Sequence, residues 1–163
     1  MTEKKRDILQ TVDDPVRRQL KHIIRTARQA ALGTLDAATG APSVSRIAIA
    51  TFTDGAPGFF ISALAAHQQN LMRDKRCSLL VGEPGKGDPL AHPRVTLIGE
   101  AEMLEPGPLR DAFRARYRSH NSKSKLYQDL PDFSYWRFHT SKASFNGGFG
   151  RAYRQQPPLI PHK

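Results

Sequence analysis

Between Ser45 and Val81 the chain reads SRIAIATFTDGAPGFFISALAAHQQNLMRDKRCSLLV, a strand, tight turn, strand, short helix and strand in succession. That order leaves few folds open. Ser45–Phe52 alternates with a period of two, so Ile47 and Ile49 share one face and Arg46, Ala48 and Ala50 the other. The second face sets one cation beside two very small side chains, which leaves room for something flat. Asp54-Gly55 between two apolar runs signals a hairpin. The return strand, Gly58–Ile61, ends at Ser62, which is suited to cap a helix over Leu64–Asp74. Leu64, Leu71 and Met72 are expected to face the core from that helix, with His67 and Asn70 neighbours on its surface. An arginine delivered beside a capped helix N-terminus makes a place for an anion, phosphate above all.

On either side of this stretch the pattern is turn-rich and mostly β. Asp13-Asp14-Pro15 starts an amphipathic helix carrying Val16, Leu20, Ile23, Ile24 and Ala27 on one side, and its arginines read as a solvated face. Ala31–Leu35 is a short strand, and Pro42 opens the next. Residues 82–89 form a loop by composition, and Arg94–Leu104 returns to strand, with a bulge expected at Gly99 and apolar parity passing to Ala101 and Met103. Pro108–His120 reads as a helix, Asn121–Leu130 as a shorter one, and Phe133–His139 as the final long strand. Glycines 147, 148 and 150 are expected to serve the backbone rather than a ligand. Five or six antiparallel strands with a few helices point to a mainly β (α+β) fold, a small barrel carrying helices. One domain over 13–154 is expected, with a flexible N-terminus at 1–12 and a tail at 155–163. The βαβ alternation of a dinucleotide-binding domain is missing, and the glycines of GGFG have neither its spacing nor its context.

Several chemistries find no support. There is no G-x-S-x-G, and the histidines at 22, 67, 92, 120, 139 and 162 make no metal-spaced cluster, so no protein-bound metal site is expected. Cys77 sits in an apolar run and reads as a buried structural thiol; a single cysteine fits a reducing, cytoplasmic setting. The opening MTEKKRDILQ lacks an apolar segment, and no apolar run approaches membrane-spanning length. The net charge of +10 is uneven: residues 110–163 hold eleven Lys/Arg against three Asp/Glu. A basic half suits a nucleic-acid surface, an anionic cofactor or plain solubility, and charge alone does not choose.

Six blocks choose further. Leu32-Gly33-Thr34-Leu35-Asp36, Pro42–Arg46, Ile61-Ser62-x-Leu64-Ala65-x-His67-x-x-Asn70-Leu71, Val81–Leu90, Arg94-Val95-Thr96-Leu97-x-Gly99 and Gly147–Ala152 follow one another in order. In these the chain, from about Ala31 to Tyr153, resembles the FMN-binding split-barrel superfamily that includes pyridoxamine 5′-phosphate oxidase, nearest its haem-utilisation and stress-protein branch. The resemblance implies a six-stranded antiparallel split barrel and a homodimer with two FMN sites between subunits. It would make Arg46 a phosphate and flavin contact, lay Ile61 and Ser62 against the ribityl-phosphate, and turn His67 and Asn70 to the phosphate. Arg94 falls where the oxidase has a glutamine on the flavin ring. The oxidase also has Arg-Lys where this chain has Ala66-His67, a lysine in place of Thr51, and a late Arg-x-His motif not recognisable here. Pyridoxine chemistry is therefore disfavoured.

The leading expectation is an FMN-dependent oxidoreductase of unknown substrate, its catalytic residues unassigned. A haem-binding relative, with His162 as its candidate ligand, is the alternative. A polyanion-binding module comes third, and nucleic acid is the least favoured partner because no recognition motif is present.

Overall fold

The computed structural model describes residues 13–148 and 152–155. Expectations for residues 1–12, for Gly150 and Arg151, and for His162 in the tail lie outside the described residues. Among the described residues there are seven strands: β1 (Gln29–Leu35), β2 (Pro42–Thr51), β3 (Pro57–Ser62), β4 (Arg76–Val81), β5 (Arg94–Met103), β6 (Phe133–Asn146) and β7 (Ala152–Gln155). Every pairing is antiparallel, in the order β3-β2-β1-β4-β5-β6-β7. Because β3 also pairs with β6, the first six of these close into a barrel and β7 lies outside it. The expected six-stranded barrel is present.

Alternation fills the barrel. Ile47 and Ile49 of β2 point inward with Leu32, Leu79, Val95, Leu97, Phe59, Trp136 and Phe138. Helix α1 (Asp14–Thr26) lays Val16, Leu20 and Ile24 on the same core, touching β2 and β5, two strands that are not neighbours in the sheet. Its start is held as the sequence implied, with Asp13 Oδ1 accepting from Val16 N at 2.9 Å. Cys77 is buried in this core, and burial pushes its thiol up to about 12, so it packs as a small hydrophobe.

A second, aromatic core lies outside the barrel wall. Phe60 and Tyr135 of the sheet and Phe52, just after β2, meet Phe113 and Tyr117 of α3 (Pro108–His120), with Phe52 and Phe113 stacked at 4.1 Å. Ala50 joins this cluster. The small-residue face of β2 is thus covered at its Ala50 end by the chain's own helix, and only the Arg46–Ala48 end stays accessible.

Three local expectations change. The register slips between Ile98 and Gly99 as expected, but the extra residue is Ser141 on β6. β5 keeps its alternation from Val95 to Ala101, whereas on β6 the buried set passes from Trp136 and Phe138 to Ala143 and Phe145. That shift hides β6's true length, which runs on to Asn146 instead of stopping at His139. Gly99 is required there because a Cβ would fall 1.9 Å from the His139 carbonyl oxygen. The helix expected over Asn121–Leu130 shrinks to a 3-10 turn at Ser122–Leu126. Helix α2 spans Ala66–Arg73 and starts after Ala65, with no side-chain cap. Ser62 accepts instead from Leu64 N, in the turn before the helix. Leu64 and Met72 consequently face solvent, at 83% and 60% exposure, and Leu71 alone of the three enters the core.

Candidate functional site

β2 and β3 stop pairing at Ile49–Phe59. Beyond that point β2 continues against β1 only and β3 against β6 only, so the wall parts. Arg46 would stand opposite Ser62 if the ladder went on. Instead a cleft of about 550 Å³ opens along the outer side of β2, within the usual range for a cofactor site. Arg46 and Ala48 form its sheet side, Arg28 and Gln29 come from the start of β1, and His120, Lys123, Ser124 and Tyr127 from the end of α3 and the turn after it.

The far wall is pinned by its own polar side chains. Arg116 Nε donates to the Thr51 carbonyl at 2.8 Å, Asn121 Nδ2 to that of Ile49 at 2.9 Å, and His120 Nε2 to that of Ala27 at 2.8 Å. Side chains from the last turn of α3 and its C-cap are thereby tied to β2 and to the α1–β1 link. The His120 bond places its ring proton on Nε2. No hydrogen bond or ion pair with a described residue engages the side chain of Arg28, Arg46 or Lys123. Glu83 is the one acid on the lining. Ser124 is fully buried, and its hydroxyl has no partner among the described residues. An unpartnered buried hydroxyl beside uncommitted cations fits a ligand that is both anionic and rich in acceptors.

Of the candidate cofactor contacts Arg46, Ile61, Ser62, His67, Asn70 and Arg94, Arg46 alone lines this cleft, beside Ala48 of the same strand face. Ile61 is 4% exposed and packs inside the barrel. Ser62 Oγ donates to Asp132 Oδ2 at 2.6 Å, so its hydroxyl is already spent on the β3–β6 edge. Arg94 donates to the carbonyls of Leu90 and His92, which fastens the 82–93 loop. Asn70 is 2% exposed; its Oδ1 accepts from Ala37 N at 2.9 Å and its Nδ2 donates to Thr34 Oγ1 at 3.0 Å. The amide that the resemblance turned toward phosphate holds α2 to β1 and the turn after it. Asn70→Ala should therefore cost roughly 1–3 kcal/mol of stability, by orphaning one buried and one half-buried group, and leave the affinity for an anionic ligand of the cleft unchanged. Thermal melts beside a ligand titration separate this from a phosphate contact, whose loss would show in affinity first.

His67 is half-buried on α2, and burial holds its imidazole below the ordinary histidine value. The unfolded chain then binds the proton more readily than the folded one. Its contribution to stability is present above the ordinary histidine value and is lost as pH falls through that value toward the lowered one. Chemical denaturation at a series of pH values should show this acid-side loss in the wild type and a flatter profile in His67→Gln.

Arg28, Lys123, Ser124 and Tyr127 were not picked out from the sequence. Arg28 reads there as one more exposed helix cation, and the 122–127 turn carries no motif. The only signal available was the excess of positive charge after residue 110.

Comparison with known proteins agrees with this architecture. The chloroplast protein named non-canonical heme oxygenase HOZ, of Arabidopsis thaliana, is 30% identical over 115 residues, which are 70% of this chain and 34% of that protein. A solved protein of unknown function from Agrobacterium tumefaciens superposes with a TM-score of 0.82 at 33% identity, over 93% of this chain and 62% of its own. A heme binding protein from Mycobacterium smegmatis gives a TM-score of 0.79 at 32% identity, over 90% of this chain and 60% of its own. The chain thus spans about a third of the length of the plant protein and about three-fifths of the two bacterial ones. The pyridoxamine 5′-phosphate oxidase profile matches residues 16–147, which takes in most of α1, the whole barrel and the aromatic core behind the cleft. By that match the chain belongs to the pyridoxamine 5′-phosphate oxidase family.

Proposed function

We propose that the chain is an FMN-binding flavoprotein of oxidoreductase type that works as a homodimer. The observation that carries the reading is the cleft beside Arg46, in which Arg28, Arg46 and Lys123 stand uncommitted next to small Ala48 and the unpartnered Ser124 hydroxyl. The guanidinium groups would hold the phosphate, Ala48 would leave space for a flat ring system, and Ser124 would meet one of the ligand's acceptors. Bound FMN supplies electron transfer, and the protein contributes position and electrostatics. FMN titrated into the protein and followed by flavin fluorescence should saturate at one site per chain. A linear, non-saturating response would overturn the reading.

The homodimer rests on the outer face of the sheet. Arg46, Ala31, Leu80 and Thr96 form one cross-strand row, and Val44, Gly33, Ser78 and Ile98 the next. Val44, Leu80 and Ile98 are exposed there among small neighbours, directly beside the cleft. A second copy would cover this face and wall the cofactor in. Light scattering should give twice the 18.2 kDa of one chain. A monomer mass with FMN present would contradict it.

Haem is the second reading, favoured by the names of the plant and mycobacterial relatives. The same arginines would suit its propionates. Among the described residues, His120 is the histidine that lines the cleft, with Nε2 already given to a carbonyl. It is a weaker candidate for an iron ligand than a free imidazole would be.

A further inference from the structure

A second cleft, of about 440 Å³, opens on the other side of the aromatic core, where α3 meets the end of β5 and the start of β6. Its walls are Leu104 and Leu130 with the aromatic side chains Phe60, Phe133 and Tyr135, and Arg110 and Arg114 stand along one side, a helical turn apart on α3. Tyr127 divides it from the first cleft. That ring lines the first cleft and packs on Phe60 at 6.0 Å and Phe133 at 5.4 Å, so the two spaces are separate.

Besides Arg110 and Arg114, the polar residues on this lining are Glu105, Gln128, Asp129, Ser134 and Tyr135. Gln128, buried, donates from Nε2 to the Tyr135 hydroxyl at 2.8 Å and to the Arg114 carbonyl at 3.3 Å. A phenol oxygen that accepts one bond still has a proton to give, and among the described residues no acceptor takes it. Burial favours the neutral phenol, so that proton stays in place at ordinary pH. Arg114 pairs with Asp129 at 2.6 Å, but Asp129 is 83% exposed and such surface pairs are weak. Arg110 has no ion-pair partner among the described residues. The cleft therefore offers aromatic and aliphatic walls, one buried hydroxyl donor and, on the Arg110 side, one guanidinium without an ion-pair partner among the described residues; the carboxylates of Glu105 and Asp129 also lie on the lining, Asp129 held by Arg114.

We infer that this cleft binds a small planar aromatic acid, its ring against Phe60, Phe133 and Tyr135, its carboxylate on Arg110, and an acceptor within reach of the Tyr135 hydroxyl. The binding is independent of the cofactor at the first cleft. A ligand of two fused rings suits the volume, and its charge would be met by Arg110 rather than by Arg46.

The test uses 2-naphthoate and its neutral counterpart 2-naphthylmethanol, titrated calorimetrically into the full chain with and without FMN. Saturable naphthoate binding with a Kd of about 1 mM or tighter is expected, the range a well-fitted ligand of this size reaches. Arg110→Ala should weaken naphthoate about tenfold and leave 2-naphthylmethanol unchanged. Leu104→Trp, which fills the cleft, should abolish both while FMN titration and the thermal melt stay near wild type. Arg46→Ala should leave naphthoate unaffected even where FMN binding is lost, which keeps this result separate from the cofactor reading. No saturable naphthoate binding, equal loss of both probes in Arg110→Ala, or loss in Arg46→Ala but not in Leu104→Trp overturns the inference. Should Leu104→Trp melt early, Leu130→Trp on the opposite wall replaces it under the same expectation.

Discussion

Arg46→Ala is expected to weaken FMN binding about ten- to a hundredfold and to leave riboflavin binding nearly unchanged. The two ligands differ only in the phosphate. A guanidinium that contributes through that group alone must show its whole effect in the difference between them. Arg46 has no described partner to lose, so its removal disturbs no hydrogen bond of the fold. An arginine that merely solubilised the strand would leave both affinities within error, and one needed for folding would lower both together. Paired titrations with a thermal melt on the same samples distinguish the three. Arg28→Ala should follow the same pattern, since Arg28 stands on the same lining. Equal loss of FMN and riboflavin would place the phosphate elsewhere.

Phe113→Ala should be the most damaging single truncation, costing about 3–5 kcal/mol and lowering Tm by roughly 10 °C. Phe113 is fully buried, stacks on Phe52 at 4.1 Å, and contacts Tyr117 and Tyr135 at 6.0 Å each. Its ring packs α3 onto the residue that follows β2, beside the Arg116 hydrogen bond to the Thr51 carbonyl. The effect should reach the cleft as well, because the last turn of α3 carries Arg116, His120 and Asn121 onto the carbonyls that fix the cleft wall. FMN affinity should therefore fall along with stability, whereas in Arg46→Ala stability should hold. Phe113→Leu keeps much of the volume and should cost distinctly less. A loss below about 1 kcal/mol in Phe113→Ala would mean that this aromatic cluster is not a core.

The barrel was legible because it follows local rules. The alternation of Ile47 and Ile49, the Asp54-Gly55 turn and the Asp13 cap each act within a few residues, and each appears as read. The second half of β6 was hidden by one inserted residue, Ser141, which moves the inward side chains from even to odd positions. The site was much less legible. Arg46 could be found because it interrupts a small-residue strand face. Ser62 and Asn70 have the residue types of a phosphate site, yet their hydrogen bonds go to Asp132, Thr34 and Ala37, partners up to seventy residues away in sequence. Their commitment is tertiary, and local pattern carries no trace of it. The same holds in reverse for Arg28 and Ser124, ordinary residues in the chain that the closing of α3 over β2 brings to one cleft.

The central claim is that the cleft beside Arg46 is built for a flavin phosphate. The most direct measurement offers the protein FMN and haemin together in equal amounts, removes free ligand by gel filtration, and records the absorbance spectrum of the protein fraction. The visible bands of bound flavin, present in the wild type and lost in Arg46→Ala, are the expected result. A haem Soret band without flavin, or a protein fraction that retains neither chromophore, would contradict the account.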